Sequence, residues 1–198
     1  MLRRAVATLG VLLLVCLPAM AAVPPPTSPA AKREAKKLAQ LPPVYPHGKP
    51  HIDHSGRKER GRASYYARYF DGRLMANGRP MNPNADIAAS KTLPLGTVAT
   101  VTNLENGRSE KVKIEDRGPF IDGRVVDLTP KVANALRMRK QGVVPVVVKP
   151  ITIPLPNGKV KLGAGAANAT PREIRQAAKT TRALVGDSHL QTASRGSE

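Results

Sequence analysis

One carboxylate in the sequence has a setting that suits acid–base chemistry. Asp116 opens the segment Asp116-Arg-Gly-Pro-Phe120, directly after an alternating, strand-like stretch. A carboxyl group can act as general acid or base when burial raises its pKa, although the adjacent Arg117 would stabilise the charged form. The segment is also typical of a turn, in which the carboxylate accepts backbone N–H bonds. Both interpretations of Asp116, catalysis and turn capping, stay open on this pattern.

The other side chains that could do chemistry give weaker patterns. Ser90 has no identifiable histidine or lysine activator, so a nucleophilic role is not expected. Asp127 is expected to pair with Arg124 or Arg117. Glu115 is expected to face away from its neighbour at position 116, because successive residues of a strand point to opposite faces.

No metal or cofactor site is expected. His47, His51 and His54 have a spacing that would converge on a helix, but Pro46 and Pro50 argue against a helix there. A single cysteine in the chain excludes a multi-cysteine zinc site. The sequence also contains no phosphate-cradling glycine loop or nucleotide motif.

Short strands must position these residues. Apolar and polar side chains alternate in several short segments, as in half-buried strands, and Asn106-Gly107 predicts a hairpin turn. Thr129-Pro130 predicts the start of one short helix. Pro145 suggests that its strand is at an edge or carries a bulge. Together these features predict a compact β-barrel, with strands over 61–66, 97–103, 111–116, 124–128 and 143–148.

The N-terminus predicts an exported protein. Residues 1–21 read as a signal peptide, with Arg3 and Arg4 before an apolar run and cleavage expected after Ala21. The run is too short to span a bilayer as a permanent helix, which needs about 20 apolar residues. Lipidation at Cys16, as in an outer-membrane lipoprotein, is the alternative; it is disfavoured because Val15 is not small.

Segments of different composition flank the barrel. Residues 22–60 are rich in proline and lysine, which predicts a disordered linker. Residues 150–198 predict a small hairpin, a helix from Pro171 to about Val185 that stops at Gly186, and a disordered end. Thr170 and Glu173 form a capping box for that helix. The barrel itself is assigned to residues 61–149.

The net charge of +18 is spread along the chain. It amounts to +2 in residues 1–21, +5 in 22–60, +7 in 61–149 and +4 in 150–198. No segment concentrates the basicity as a nucleic-acid patch would, and export argues against a nucleic-acid partner. The pattern favours acidic polymers of the cell envelope.

Several short motifs follow one another in residues 61–149. They are Gly61-Arg-Ala-Ser-Tyr-Tyr66, Ala76-Asn-Gly78, Ala88-Ala89, Lys91-Thr-Leu-Pro-Leu-Gly96, Val101-Thr-Asn-Leu-Glu-Asn-Gly-Arg108, Asp116-Arg-Gly-Pro-Phe120 and Gly123-Arg-Val-Val-Asp-Leu128. In these motifs the segment resembles the rare-lipoprotein-A (RlpA) family of bacterial septal-ring lytic transglycosylases. The resemblance implies a six-stranded double-psi β-barrel with one short helix, and cleavage of peptidoglycan glycan strands to 1,6-anhydro ends.

The resemblance also points to site residues. It implies an acidic residue after the Ala-x-Gly motif, a histidine after the Ala-Ala pair and a catalytic aspartate at the third motif. In this sequence the first position is Arg79 and the second is Ser90, whereas Asp116 is retained. These departures predict an enzyme of weak activity. The alternative is a non-catalytic module that binds peptidoglycan or a division-site envelope protein.

Substrate-binding residues are expected around this aspartate. Tyr66 or Tyr69 is expected to be exposed and to stack on a sugar ring, whereas Phe120 is expected in the core. Asn77 and Arg117 are expected to contact the glycan.

Overall fold

The computed structural model describes residues 51–195, with side chains to residue 186. The elements in this range are β1 (Glu59–Tyr65), β2 (Ile87–Ala89), β3 (Val98–Asn103), β4 (Ser109–Asp116), β5 (Arg124–Leu128), α1 (Pro130–Ala135), β6 (Val144–Pro154), β7 (Val160–Leu162) and α2 (Pro171–Arg195), with 3₁₀ turns at Arg68–Phe70 and Ala166–Asn168. The predictions for the signal peptide, Cys16, His47 and the linker up to residue 50 lie outside the described residues.

Strands β1 to β6 close into a barrel. Hydrogen bonding runs in the order β1-β5-β2-β4-β3-β6, and β6 pairs back onto β1. The neighbours β1–β5 and β2–β4 are parallel, and the other neighbours are antiparallel. The predicted six-stranded β-barrel is therefore confirmed.

Aliphatic side chains fill the barrel. They come from alternate positions of the strands, as a half-buried pleated surface requires. Helix α1 and the turn after it close one side of this core with Val132, Leu136 and Met138. Burial of each such side chain stabilises the fold by about 1.5–3 kcal/mol. The strand contributions include Val101, Val112, Ile114, Val126, Leu128, Val146 and Val148.

Local signals in the sequence place the β3–β4 hairpin and α1 correctly. Gly107 has a φ of 75°, the left-handed conformation that favours glycine in a tight turn. Helix α1 begins at Pro130, as predicted, and Thr129 is its N-cap residue. The Thr129 hydroxyl does not cap the helix, however; it donates to the Ala85 carbonyl at 2.6 Å. The helix start is thereby tied to the chain that enters β2.

The edge or bulge predicted at Pro145 is wrong. Strand β6 pairs with β1 on one side and β3 on the other, and Pro145 lies opposite Arg62 in an uninterrupted β1–β6 register. The register shift of β6 occurs further along, where Ala99 is opposite Pro150 and Val98 is opposite Thr152. The carbonyl of Pro145 still accepts a bond, from Leu104 N–H at 2.9 Å.

The barrel exceeds its predicted boundaries at both ends. β1 begins at Glu59 and β6 continues to Pro154. Asp53 N–H donates to the Thr92 carbonyl at 2.8 Å, and Ala164 N–H donates to the Gly56 carbonyl at 2.8 Å. The linker prediction is therefore wrong for residues 53–60, because backbone hydrogen bonds hold this segment on the barrel and its extension.

The C-terminal extension packs on the barrel. The predicted hairpin is confirmed by pairing of β7 with β6. The chain then passes so close to β6 that a Cβ at Gly165 would lie 2.6 Å from the Lys149 carbonyl oxygen. In the helix, Thr181 bonds Thr152 at 2.9 Å in a buried contact, and Ala177 is buried against Ile151 and Val98. The extension is therefore part of the folded unit.

Helix α2 has the predicted start but not the predicted end. The capping box forms, since Glu173 accepts from Thr170 N–H at 2.8 Å and from the Thr170 hydroxyl at 2.9 Å. The helix continues past Gly186 to Arg195, so the predicted stop and most of the predicted disordered end are wrong. Glycine costs a helix interior about 1 kcal/mol relative to alanine, which is too little to end this one.

Two features are absent from the residues that the structure describes. No helix there is long and apolar enough to cross a membrane. No group of three or more His, Cys, Asp or Glu side chains there could hold a metal ion. Of the histidines, the His54 ring lies 3.2 Å from the Pro154 carbonyl oxygen, which gives it a structural contact.

Candidate active site

A long loop covers the outer face of β2. β2 itself was not predicted, because Ile-Ala-Ala is too short to show alternation. Ala88 points into the barrel core, whereas Ile87 and Ala89 are buried under Tyr66, Met75 and other residues of the connection from β1. This connection, residues 66–86, is called the site loop.

Asp116 lies at the end of β4, under the site loop. Its Oδ1 accepts from Ala76 N–H and from Arg117 N–H, each at 2.8 Å. Its Oδ2 accepts from the Tyr66 hydroxyl at 2.8 Å. The bond to Arg117 is the turn contact that the sequence suggested, but the other two come from distant parts of the chain. The carboxylate is therefore held between the end of β4 and the site loop.

The hydrogen bonds of Asp116 leave one lone-pair site of the carboxylate without a donor. An ionised carboxylate has about four lone-pair sites, and three donors are bound here. The remaining site is on Oδ2, beside the Tyr66 hydroxyl. Asp116 as a residue is half-buried.

Tyr66 is buried, so of the two tyrosines expected as the exposed one, Tyr69 is exposed and Tyr66 is not. Only 8% of the residue is accessible, since its ring packs with Met75, Met81 and Ala89. Burial raises the pKa of its phenol, and the negative charge of Asp116 raises it further. The hydroxyl therefore stays protonated and acts as a donor to Asp116.

Glu115 and Asp116 contact the same loop, so the expectation that they face opposite sides is wrong. Glu115 Oε2 accepts from Asn77 Nδ2 at 2.8 Å, one residue from the loop amide that bonds Asp116. The reason is an irregular register in which Ala88 is opposite Ile114 but Ala89 is opposite Asp116. A bulge of this kind breaks the alternation of side chains. Glu115 is thus a supporting residue that the sequence did not indicate.

Asn77 and Arg79 shape the turn of the site loop. The side-chain oxygen of Asn77 accepts from Arg79 N–H at 3.0 Å, while its amide group is bound to Glu115. Both ends of the Asn77 side chain are thus used within the protein. Arg79 is exposed, at the position where the resemblance implies an acid.

Ser90 and Arg117 hold the turn that follows β2. Ser90 is fully buried, and its Oγ accepts from Leu93 N–H at 3.1 Å. The Arg117 guanidinium donates to the carbonyls of Ser90 at 3.1 Å and Leu93 at 2.5 Å. Burial lowers the pKa of Arg117, and Asp116 acts in the opposite direction. These contacts give both side chains a structural role beside Asp116.

Three aromatic rings near Asp116 in the sequence or on the site loop are exposed. Tyr69 is 67% exposed, Phe70 is 42% exposed and Phe120 is 47% exposed. The exposure of Tyr69 agrees with the expectation for one of the two tyrosines. The prediction that Phe120 lies in the core is wrong. Phe70 contacts Tyr66 edge to face at 5.7 Å. The Arg73 guanidinium covers one face of Tyr69 at 3.6 Å, which stabilises the ring orientation.

A second carboxylate lies across β2 from Asp116. Ala89 is opposite Asp116 in β4 and opposite Asp127 in β5. Asp127 accepts from the Ser64 hydroxyl and forms an ion pair with Arg124. Arg124 is one of the two partners that the sequence suggested for it. Asp127 is therefore already engaged.

The fold and the site define a class of protein. A closed barrel of six short strands with two parallel pairs of neighbours has the architecture of a double-psi β-barrel domain. The family described as lytic transglycolase matches residues 58–148. This segment is an RlpA-like double-psi β-barrel domain.

Individual relatives agree with this assignment. The probable endolytic peptidoglycan transglycosylase RlpA of Synechocystis is 52% identical over 83 residues, 42% of this chain and 26% of that protein. The endolytic peptidoglycan transglycosylase RlpA of Campylobacter jejuni is 43% identical over 91 residues, 46% of this chain and 33% of that protein. The chain thus spans about a third or less of these two relatives. A solved structure, Streptomyces papain inhibitor, is 27% identical with a TM-score of 0.40, covering 48% of this chain and 96% of that one.

Proposed function

We propose that the protein is an exported lytic transglycosylase that cleaves peptidoglycan glycan strands to 1,6-anhydro ends. The observation that carries the proposal is Asp116, a half-buried carboxylate that is held by three donors and keeps one lone-pair site without one. The names of the RlpA relatives support the substrate and the reaction. No cofactor is needed.

One carboxyl group suffices for this reaction. Asp116, protonated, gives its proton to the glycosidic oxygen as the bond from that oxygen to C1 breaks. The N-acetyl group of the sugar stabilises the cation at C1. The Asp116 carboxylate then takes the proton of the 6-hydroxyl while O6 bonds to C1, so no water is activated and the acid is regenerated. A hydrolase would instead need a second carboxyl group, and Asp127 is held by Arg124.

Mass spectrometry tests the proposal directly. The purified chain is incubated with peptide-stripped glycan strands, and the products are analysed for 1,6-anhydro ends. Their appearance supports the proposal. Reducing ends formed with water would contradict the mechanism, and unchanged strands would contradict the activity.

Tyr66→Phe is expected to slow cleavage about tenfold to hundredfold. The change removes the donor to Asp116 Oδ2 and keeps the buried ring, and a hydrogen bond to a charged group is worth about 1.5–3 kcal/mol. The measurement is the rate of anhydro-product release. Tyr65→Phe is the matched control, since its hydroxyl bonds the distant Arg139 carbonyl. Equal rates for both variants would exclude a positioning role for Tyr66.

Tyr69→Ala is expected to raise KM for glycan strands about fivefold and to leave kcat nearly unchanged. An exposed ring on the site loop can stack on a sugar, and the alanine substitution removes that stacking. Val143→Ala is the control, because Val143 is also an exposed apolar residue, at 40% accessibility. A normal KM for Tyr69→Ala would show that this ring does not touch the substrate.

A non-catalytic module that binds peptidoglycan or an envelope protein of the division site is the second candidate. It is favoured by Arg79, an exposed cation where the resemblance implies an acid, and by Ser90, whose side chain is turned into the protein. This candidate predicts that the chain pellets with sacculi and leaves glycan strands intact.

We propose the following location for the protein. Cleavage after Ala21 releases the chain into the periplasm or cell envelope, where its polymer substrate is found. Anchoring to the outer membrane through a lipidated Cys16 is the alternative. Mass measurement of the mature chain separates the two, because lipidation retains Cys16 and adds acyl chains.

A further inference from the structure

The outer face of α2 carries a row of cations. Arg172, Arg175, Lys179 and Arg182 are exposed and follow one another at intervals of three and four residues. In an α-helix this spacing places them within an arc of about 80° and along about 15 Å of the axis. We call these four residues the basic stripe.

The docking of α2 fixes the direction of the stripe. Ala177 and Thr181 are buried against β3 and β6, and Ile174 packs beside them. These positions lie on the opposite side of the helix from the stripe. The four cations therefore project away from the barrel and are presented together.

The basic stripe has no carboxylate partner among the residues that the structure describes. The acid of the first turn, Glu173, is engaged by Lys111 of β4 and by Thr170. Like charges three or four residues apart on a helix repel one another by a few tenths of a kcal/mol. An anionic ligand would relieve this repulsion.

We propose that the basic stripe binds the carboxylates of peptide-stripped glycan strands. This contact with the wall polymer would be separate from the Asp116 site. Each muramic acid residue of such a strand bears a free lactyl carboxylate, so the polymer presents its anions in a line. A stripe one side chain wide complements a line of charges. Its neighbours Gln176 and Ala183 offer no large apolar side chain for insertion into a bilayer.

The choice of polymer rests on the proposed function. The stripe belongs to the extension beyond residue 148, where the family match ends. It therefore adds a binding site that the barrel domain does not contain.

Pelleting with beads that carry peptide-stripped glycan strands tests the proposal. The full chain carries Asp116→Asn, so that cleavage does not disturb binding, with or without Gln at the four stripe positions. We expect the stripe variant to bind about tenfold more weakly at low salt, since exposed ion pairs contribute about 0.2–1 kcal/mol each. The difference should shrink as salt is added.

A matched control removes four charges elsewhere. Gln is placed at the exposed positions Arg57, Lys58, Lys140 and Lys159, which changes net charge equally without touching α2. An equal loss of binding in both variants would assign the effect to bulk charge and overturn the proposal, as would no loss in either. Stripe-dependent binding to anionic lipid vesicles that is tighter than binding to the glycan strands would also overturn it.

Cleavage of short soluble glycans separates this proposal from the proposed function. With Asp116 intact, the stripe variant should release anhydro products at the normal rate. If the unmodified chain releases none, the transglycosylase proposal fails, while the pelleting result still decides the role of the stripe.

Discussion

Asp116→Asn is expected to reduce release of 1,6-anhydro products about a thousandfold. Asparagine has nearly the same shape and can accept the N–H bonds of Ala76 and Arg117, but it cannot give a proton to the leaving oxygen or take one from the 6-hydroxyl. General acid–base catalysis contributes about 10²–10⁴ to the rate. Product release is measured by mass spectrometry, and circular dichroism checks that the fold is retained.

The control for this variant is Asp71→Asn. Asp71 is an exposed carboxylate of the site loop, so the change removes a negative charge from that loop and leaves the proposed acid intact. Its rate should stay within about twofold of the unmodified chain. Full activity of Asp116→Asn would assign Asp116 to turn capping alone. Retained pelleting of an inactive Asp116→Asn variant would show that binding and cleavage are separable.

Arg117→Ala is expected to lower the free energy of unfolding by about 2–4 kcal/mol. The guanidinium donates to two carbonyl oxygens, of Ser90 and Leu93, and each loses a charged donor when the side chain is removed. Urea unfolding with linear extrapolation measures the change. Arg117→Lys should recover only part of the loss, because an ammonium group cannot reproduce the planar fork of the guanidinium.

Arg108→Ala provides the comparison for Arg117→Ala. Arg108 also donates to one backbone carbonyl, that of Ala135 at 2.8 Å, but in an exposed setting. Its loss should cost less than about 1 kcal/mol. An Arg117→Ala protein of normal stability and raised KM would instead support the substrate-binding role that the sequence suggested.

Local patterns were enough to predict most of the barrel. The alternation in β3 and β4, the Asn106-Gly107 turn and the Thr129-Pro130 helix start each depend on residues close in sequence. β2 was missed because both faces of Ile87–Ala89 are buried, one by the core and one by the site loop. A strand of three apolar residues has no polar side that could reveal it.

The errors in the site come from contacts between distant residues. Tyr66 is buried because loop methionines cover its ring and Asp116 receives its hydroxyl, which no spacing near Tyr66 could indicate. The irregular β2–β4 register brings Glu115 to the same loop as Asp116. The sequence predicts Asp116 as a site residue. The Ala76 N–H and the Tyr66 hydroxyl, which donate to its carboxylate, are brought to it only by the folded chain.

The partners of Asp116 also bear on when its site forms during folding. The Tyr66 hydroxyl comes from 50 residues away and the Ala76 amide from 40, so both contacts close large loops. Such long-range contacts form late, because their entropy cost must be met before they contribute. The carboxylate should therefore be aligned only in the fully closed barrel. Chains that are still unfolded, or that have opened partly, would lack the aligned carboxylate on which the proposed cleavage depends.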